Sequence, residues 1–135
     1  MSLDIQQHEH EGVTIVDLDG RMTVGPEATA FRDKMAALIA AGTRNVVLNL
    51  KRVDYIDSTG LGALVMSATS ERRQGGNVKL LNLSRRSIEL LVMTKLATVF
   101  EIFNDEQDAV DSFYPDRKVK TFDILNFVKQ MKKET

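Results

Sequence analysis

The chain contains no cysteine and no tryptophan, two histidines and two prolines, and only 6% of its 135 residues are aromatic. The absence of cysteine removes disulfides, thiolate catalysis and cysteine-ligated zinc sites together. The histidines, His8 and His10, lie two residues apart near the N-terminus. A His-x-His pair on one strand face needs a third ligand to hold a metal, and none is evident nearby, so both are expected to be solvated. With no histidine elsewhere, a serine nucleophile would lack its usual general base. No apolar run approaches the roughly 20 residues needed to span a bilayer. Residues 1–7 have neither the basic start nor the apolar segment of a signal peptide, so the expected location is the cytoplasm. Charge of either sign is not in excess, with 18 basic residues against 19 acidic. Residues 116–135 hold six basic against three acidic side chains, which leaves the preceding body mildly acidic and argues against nucleic acid as a partner.

What is present is an alternation of strand-like and helix-like segments. Residues 3–9 alternate weakly, Glu11-Gly12 punctuates, and the β-branched run 13–18 reads as the second strand of an antiparallel hairpin. Asp19-Gly20 reads as a break before a short extended piece, 21–24. Pro26 suits the first position of a helix, in which Phe31, Met35, Leu38 and Ile39 form one apolar stripe and Gly42 marks the stop. The run 46–50 is apolar enough for a strand buried on both faces. A helical pattern follows, with Leu61, Leu64, Val65 and Ala68 inward and Glu71 to Gln74 at a solvated end before Gly75-Gly76. Residues 78–83 read as another buried strand. Ser84 then caps a helix carrying Ile88, Leu91, Val92 and Leu96, 99–103 reads as one more strand, and Asn104-Asp105 starts a short helix ending before Pro115.

Strands alternating with helices predict parallel pairing. The expected fold class is α/β: one domain over 1–115, with a mixed sheet of four to five strands and about four helices packed on it. An amphipathic helix is expected within 116–135, with Ile124, Phe127, Val128 and Met131 on one face and Thr121 as its cap. That face either folds back on the domain or meets a second copy in a homodimer; a membrane surface is the weaker reading, because the helix is short and lacks a strong basic run.

The stretch most suggestive of function is Asp57-Ser58-Thr59-Gly60-Leu61-Gly62, between the buried strand and the next helix. Four readings compete. Ser58 or Asp57 caps the helix, with Gly60 and Gly62 permitting close approach to the sheet. Ser58 is a nucleophile, which the histidine positions and the missing G-x-S-x-G elbow oppose. The helix start binds a phosphate or nucleotide, although neither a G-x-x-x-x-G-K-[ST] loop nor a G-x-G-x-x-G is present and Asp57 would repel the anion. Or Ser58 receives a phosphate from a kinase, placing a charge of about −1.5 to −2 beside the apolar neighbours Tyr55, Ile56, Leu61 and Met66.

Asn49-Leu50 and the run 53–62, Val-Asp-Tyr-Ile-Asp-Ser-Thr-Gly-Leu-Gly, resemble the signature of STAS domains, closest to bacterial anti-sigma-factor antagonists. Gly20 before the first helix and Gly75-Gly76 before the next strand suit the same family, and the resemblance spans residues 3–113 in element order. It implies a protein with no catalytic residues and no cofactor. Its partners would be an anti-sigma factor that is also a serine kinase, and a PP2C-type phosphatase. The unphosphorylated form would bind the anti-sigma factor, and phosphorylation of the first hydroxyl after the aspartate, Ser58 rather than Thr59, would break the complex. The partner-binding surface implied is Thr23, Tyr55, Ile56, Asp57, Ser58, Thr59, Gly60, Leu61 and Met66. Thr23 is a departure, since family members often carry an aspartate there. The alternative expectation is a STAS interaction module of a signalling or transport assembly that binds constitutively, with Ser58 only a helix cap.

Overall fold

In the computed structural model, which describes residues 3–134, the chain starts with the expected hairpin. Strand β1 (Asp4–His10) pairs antiparallel with β2 (Val13–Met22) around Glu11-Gly12. Helix α1 (Pro26–Ala40), β3 (Asn45–Ile56), α2 (Ser58–Arg73), β4 (Asn77–Leu81), α3 (Arg85–Met93), β5 (Ile102–Phe103), α4 (Glu106–Asp111) and α5 (Ile124–Glu134) follow. The five strands lie in the order β1-β2-β3-β4-β5, with every pair after the first parallel. Among the described residues no helix is long and apolar enough to cross a membrane.

The side-chain period of two assigns each strand residue to one of two cores. Val16, Leu18, Val46, Leu48, Leu50, Val78, Leu80 and Ile102 face the larger cluster, where they meet Phe31 and Met35 of α1, Leu61 and Leu64 of α2, and Ile88 and Leu91 of α3. Val13, Ile15, Val47, Leu81 and Phe103 face the other side and meet Ala109 and Val110 of α4. Strands with both faces covered in this way read as near-continuous apolar runs, as 46–50 does.

Several expectations need correction. Asp19-Gly20 does not end a strand: β2 continues to Met22 with two register shifts against β3, and Gly20 takes φ 131° at the second. The glycine marks a bulge, which bends a strand without terminating it. Strand β3 likewise runs beyond residue 50 to Ile56, because pairing with β2 resumes at Arg52 after a register shift while Val53 and Ile56 return to the core. The last strand shrinks to Ile102–Phe103, and Leu96 lies beyond the end of α3 in the turn that leads there. Helix α5 is capped by Asp123, whose Oδ1 accepts the Asn126 N–H at 3.0 Å, in place of Thr121.

Glu71 is not solvated. Its side chain is fully buried against Gly76, with Arg44 Nη1 3.4 Å from Oε1 and Oε2 without a hydrogen-bond partner, and burial pushes its carboxyl above the usual range. The charged neighbours Arg72 and Arg73 made the helix end look uniformly wet, but position 71 follows 64 and 68 on the inward stripe.

The histidines are not free in solvent either. His8 Nδ1 lies 2.7 Å from Asp17 Oδ2, and His10 Nδ1 lies 2.5 Å from Glu106 Oε2, so the hairpin is tied to α4. The hydrogen bond to Glu106 raises His10; burial opposes the same rise in His8, but its bonds to Glu106 and Asp17 overcome it. Burial would raise Glu106, yet the two imidazoles hold it below the ordinary carboxylate range. The histidine contribution is therefore fully present below about pH 6.5, the unfolded value, and is lost as pH rises through the higher folded values. The Glu106 contribution is present above its unfolded value and lost in acid. The melting temperature of the native chain relative to His10→Gln should thus be highest near pH 6 and should fall by pH 9, measured by thermal denaturation at both.

The segment after α4 folds back on the domain. The Tyr114 hydroxyl donates to the Glu11 carbonyl, and Arg117 Nη1 reaches Glu11 Oε1 at 2.6 Å and Asp111 Oδ1 at 2.8 Å. Buried Lys79 donates to Ser112 and pairs with Glu101 at 2.9 Å. The Phe122 N–H then donates to the Ile102 carbonyl at 2.9 Å, and Phe122, Ile124 and Phe127 pack on the larger core, while Leu125 stays exposed.

Candidate functional site

The site is built where β3 ends and α2 begins, at the carboxyl edge of the parallel strands, the usual place for function in open α/β sheets. The helix cap is Asp57. Its Oδ1 accepts the Gly60 N–H at 2.8 Å, and its Oδ2 accepts the Val24 N–H at 2.9 Å. One carboxylate therefore caps α2 and fastens the loop between β2 and α1 to it. The Asp57 N–H completes the clamp by donating to the Met22 carbonyl at 3.2 Å. Those backbone donors, Gly60 first and Val24 second, hold the Asp57 carboxyl below its ordinary range. Ser58 is consequently not the cap; it occupies the first helical position with its side chain exposed, whereas Thr59 is half-buried.

Gly60 is the close-approach residue. A Cβ there would lie 1.9 Å from the Met22 carbonyl oxygen and 2.8 Å from its carbon. Gly62 has nothing within 4 Å of the corresponding position, so only one of the two glycines serves the packing. Gly62→Ala should raise stability by about 0.5–1 kcal/mol, as expected for an exposed mid-helix glycine. Denaturant midpoints measure this directly.

Tyr55, Ile56, Asp57, Ser58 and Leu61 line one side of a groove of about 430 Å³. Ile56 and Leu61 form its floor and are buried, while Tyr55 is 42% exposed. The opposite wall is α3, with Arg86, Glu89, Leu90 and Met93. Met93 is among the most exposed large apolar residues described. Thr23 is half-buried in the loop that Asp57 fastens, beside exposed Val24. Met66 stands apart, exposed beside a second groove that Arg32, Met35 and Ile39 of α1 help to line.

The α3 wall is what the sequence reading missed. Its signal was available, since Arg86, Leu90 and Met93 recur at i, i+4, i+7 on the face opposite Ile88 and Leu91, and a helix between β4 and β5 must flank the end of β3. Among the described residues no group of three or more histidine, aspartate or glutamate side chains could hold a metal ion. The groove brings together the Ser58 hydroxyl, the Asp57 carboxylate held by backbone donors, the apolar Ile56 and Leu61, and the Arg86 and Glu89 side chains.

Residues 4–109 match the family model of the STAS domain. The anti-sigma-B factor antagonist of Bacillus subtilis is 35% identical over 102 residues, covering 76% of this chain and 90% of the relative. The anti-sigma F factor antagonist of Paenibacillus polymyxa is 26% identical over 110 residues, covering 82% and 94% respectively. Among solved structures, the Bacillus anti-sigma factor antagonist SpoIIAA in its unphosphorylated form matches with a TM-score of 0.64 at 20% identity, over 83% of this chain and 99% of that one. At that identity the match shows a shared fold.

Proposed function

The chain belongs to the STAS domain family, and from that premise we propose that it is an anti-sigma-factor antagonist switched by phosphorylation of Ser58. Unphosphorylated, it binds an anti-sigma factor of the serine-kinase type through the α2 start and the groove beside it. A phosphate on Ser58 ends the complex, and a PP2C-type phosphatase restores it. The role is recognition, with the catalysis supplied by the partners.

The observation that carries this reading is the division of labour between Asp57 and Ser58. The carboxylate satisfies the helix start and the neighbouring loop, which leaves the adjacent hydroxyl exposed and not needed as the cap. A phosphate can be added there without removing a cap, and its charge falls on the surface that a partner touches. Relatives named as antagonists of anti-sigma factors, and the occurrence of SpoIIAA in a phosphorylated form, support the same role. The constitutive alternative gave Ser58 the duty of cap, a duty Asp57 fills. Phosphosite mapping after incubation with a kinase-type anti-sigma factor and ATP tests the proposal. Modification at Ser58 is expected, and modification confined to other residues would overturn it.

A further inference from the structure

The groove beside Ser58 is lined by charged side chains of both signs, Asp57, Arg86 and Glu89. Glu89 is ion-paired one turn back on its own helix, with Arg85 Nε 2.9 Å from its Oε1. Arg86, next to Arg85, has no ion pair with a carboxylate among the described residues; its guanidinium lies 5.8 Å from the centre of the Tyr55 ring, and both residues line the groove. Asp57, the other acid of the groove, has each carboxylate oxygen occupied by a backbone N–H. The groove thus sets the Arg86 charge, unpaired with any carboxylate among the described residues, and the exposed Ser58 hydroxyl on opposite walls.

We propose that Arg86 is the reader of the Ser58 charge state, its guanidinium pairing with the phosphate of phosphoserine 58 across the groove. The identification of Ser58 as the modified residue rests on the proposed function; the pairing rests on the residues that line this groove. Guanidinium is suited to the task, since its planar donors can engage two phosphate oxygens at once. The Tyr55 ring holds it at the mouth of the groove without consuming its hydrogen-bonding capacity. In the unphosphorylated chain Arg86 is exposed, and its guanidinium is available to an acidic side chain of the partner. Capture by the phosphate would therefore add negative charge and withdraw the Arg86 charge in one event. This would make the switch sharper than repulsion alone.

The test needs neither kinase nor partner. Phosphoserine is placed at position 58 by genetic encoding, and the second phosphate ionisation is followed by phosphorus NMR across pH 4–9. The polar groups that line the groove around position 58 are Asp57 at the α2 start, Tyr55 on β3, Arg86 and the paired Glu89 on α3, and Thr94 just beyond it. Pairing with Arg86 lowers the phosphate pKa below its ordinary value of about 6. Arg86→Gln should raise it by about half a unit or more, because the opposite charge that favours the dianion is gone. Arg86→Lys should lie between the two. Arg72→Gln, an exposed cation at the far end of α2, should leave the titration unchanged, and circular dichroism verifies that each variant is folded. Coincident titrations for the native and Arg86→Gln chains would overturn the pairing and leave the assignment of Ser58 as the modified residue standing. Absence of Ser58 phosphorylation by any kinase-type partner would do the reverse.

Discussion

Gly60→Ala is expected to be the most damaging single substitution at the site, lowering stability by about 3 kcal/mol and the melting temperature by about 10 °C. The cause is geometric. The new methyl would lie 1.9 Å from the Met22 carbonyl oxygen, a backbone atom with no rotamer to yield. Relief requires α2 to move away from β2, and such a movement pulls the Gly60 N–H off Asp57 Oδ1 and loosens the Asp57 bridge to Val24. Packing and capping therefore fail together, and the loop bearing Thr23 is released with them. Thermal and urea denaturation of Gly60→Ala beside Gly62→Ala gives an internal control, since the second change meets empty space. A loss of less than about 1 kcal/mol for Gly60→Ala would mean that the helix start is not pressed on β2 as described.

Ser58→Asp is expected to separate function from stability. An exposed residue at the first turn of a helix tolerates, and electrostatically favours, a carboxylate, so stability should stay within about 0.5 kcal/mol of the native value. Affinity for the anti-sigma factor should nevertheless fall about 100-fold, equivalent to about 2.7 kcal/mol. The new charge joins Asp57 in a groove whose floor, Ile56 and Leu61, is apolar, and a partner seated there would have to desolvate it. Ser58→Ala should bind like the native chain and resist release. Isothermal titration of each variant against the anti-sigma factor measures both. Equal affinity for Ser58→Asp and the native chain would remove the hydroxyl from the interface.

The hydroxyl, the carboxylate and the near glycine were all legible in the sequence, because a polar turn between a buried strand and an amphipathic helix has few structural uses. Their division of labour was not. Asp57 and Ser58 are both good cap residues, and only the positions of the Gly60 and Val24 amides decide between them. Local patterns likewise carried the strand and helix order, since β2, β3 and β4 contain near-continuous apolar runs and α1 carries a clean stripe. What escaped depended on partners distant in sequence. Glu71 looks solvated beside Arg72 and Arg73 until Gly76 and Arg44 close over it. His8 and His10 look idle until α4, some 96 residues on, brings Glu106 to them. The α3 wall of the groove belongs to the same class, for Arg86 and Tyr55 are brought together by the crossover from β4 to β5.

The central claim, that a phosphate on Ser58 ends partner binding, is most directly tested on one sample. The complex with a kinase-type anti-sigma factor is isolated by size-exclusion chromatography, ATP is added, and complex and phosphosite are followed together by chromatography and mass spectrometry. The complex should disappear in step with phosphate on Ser58, and the Ser58→Ala complex should survive ATP unchanged. A complex that persists with Ser58 fully phosphorylated would contradict it.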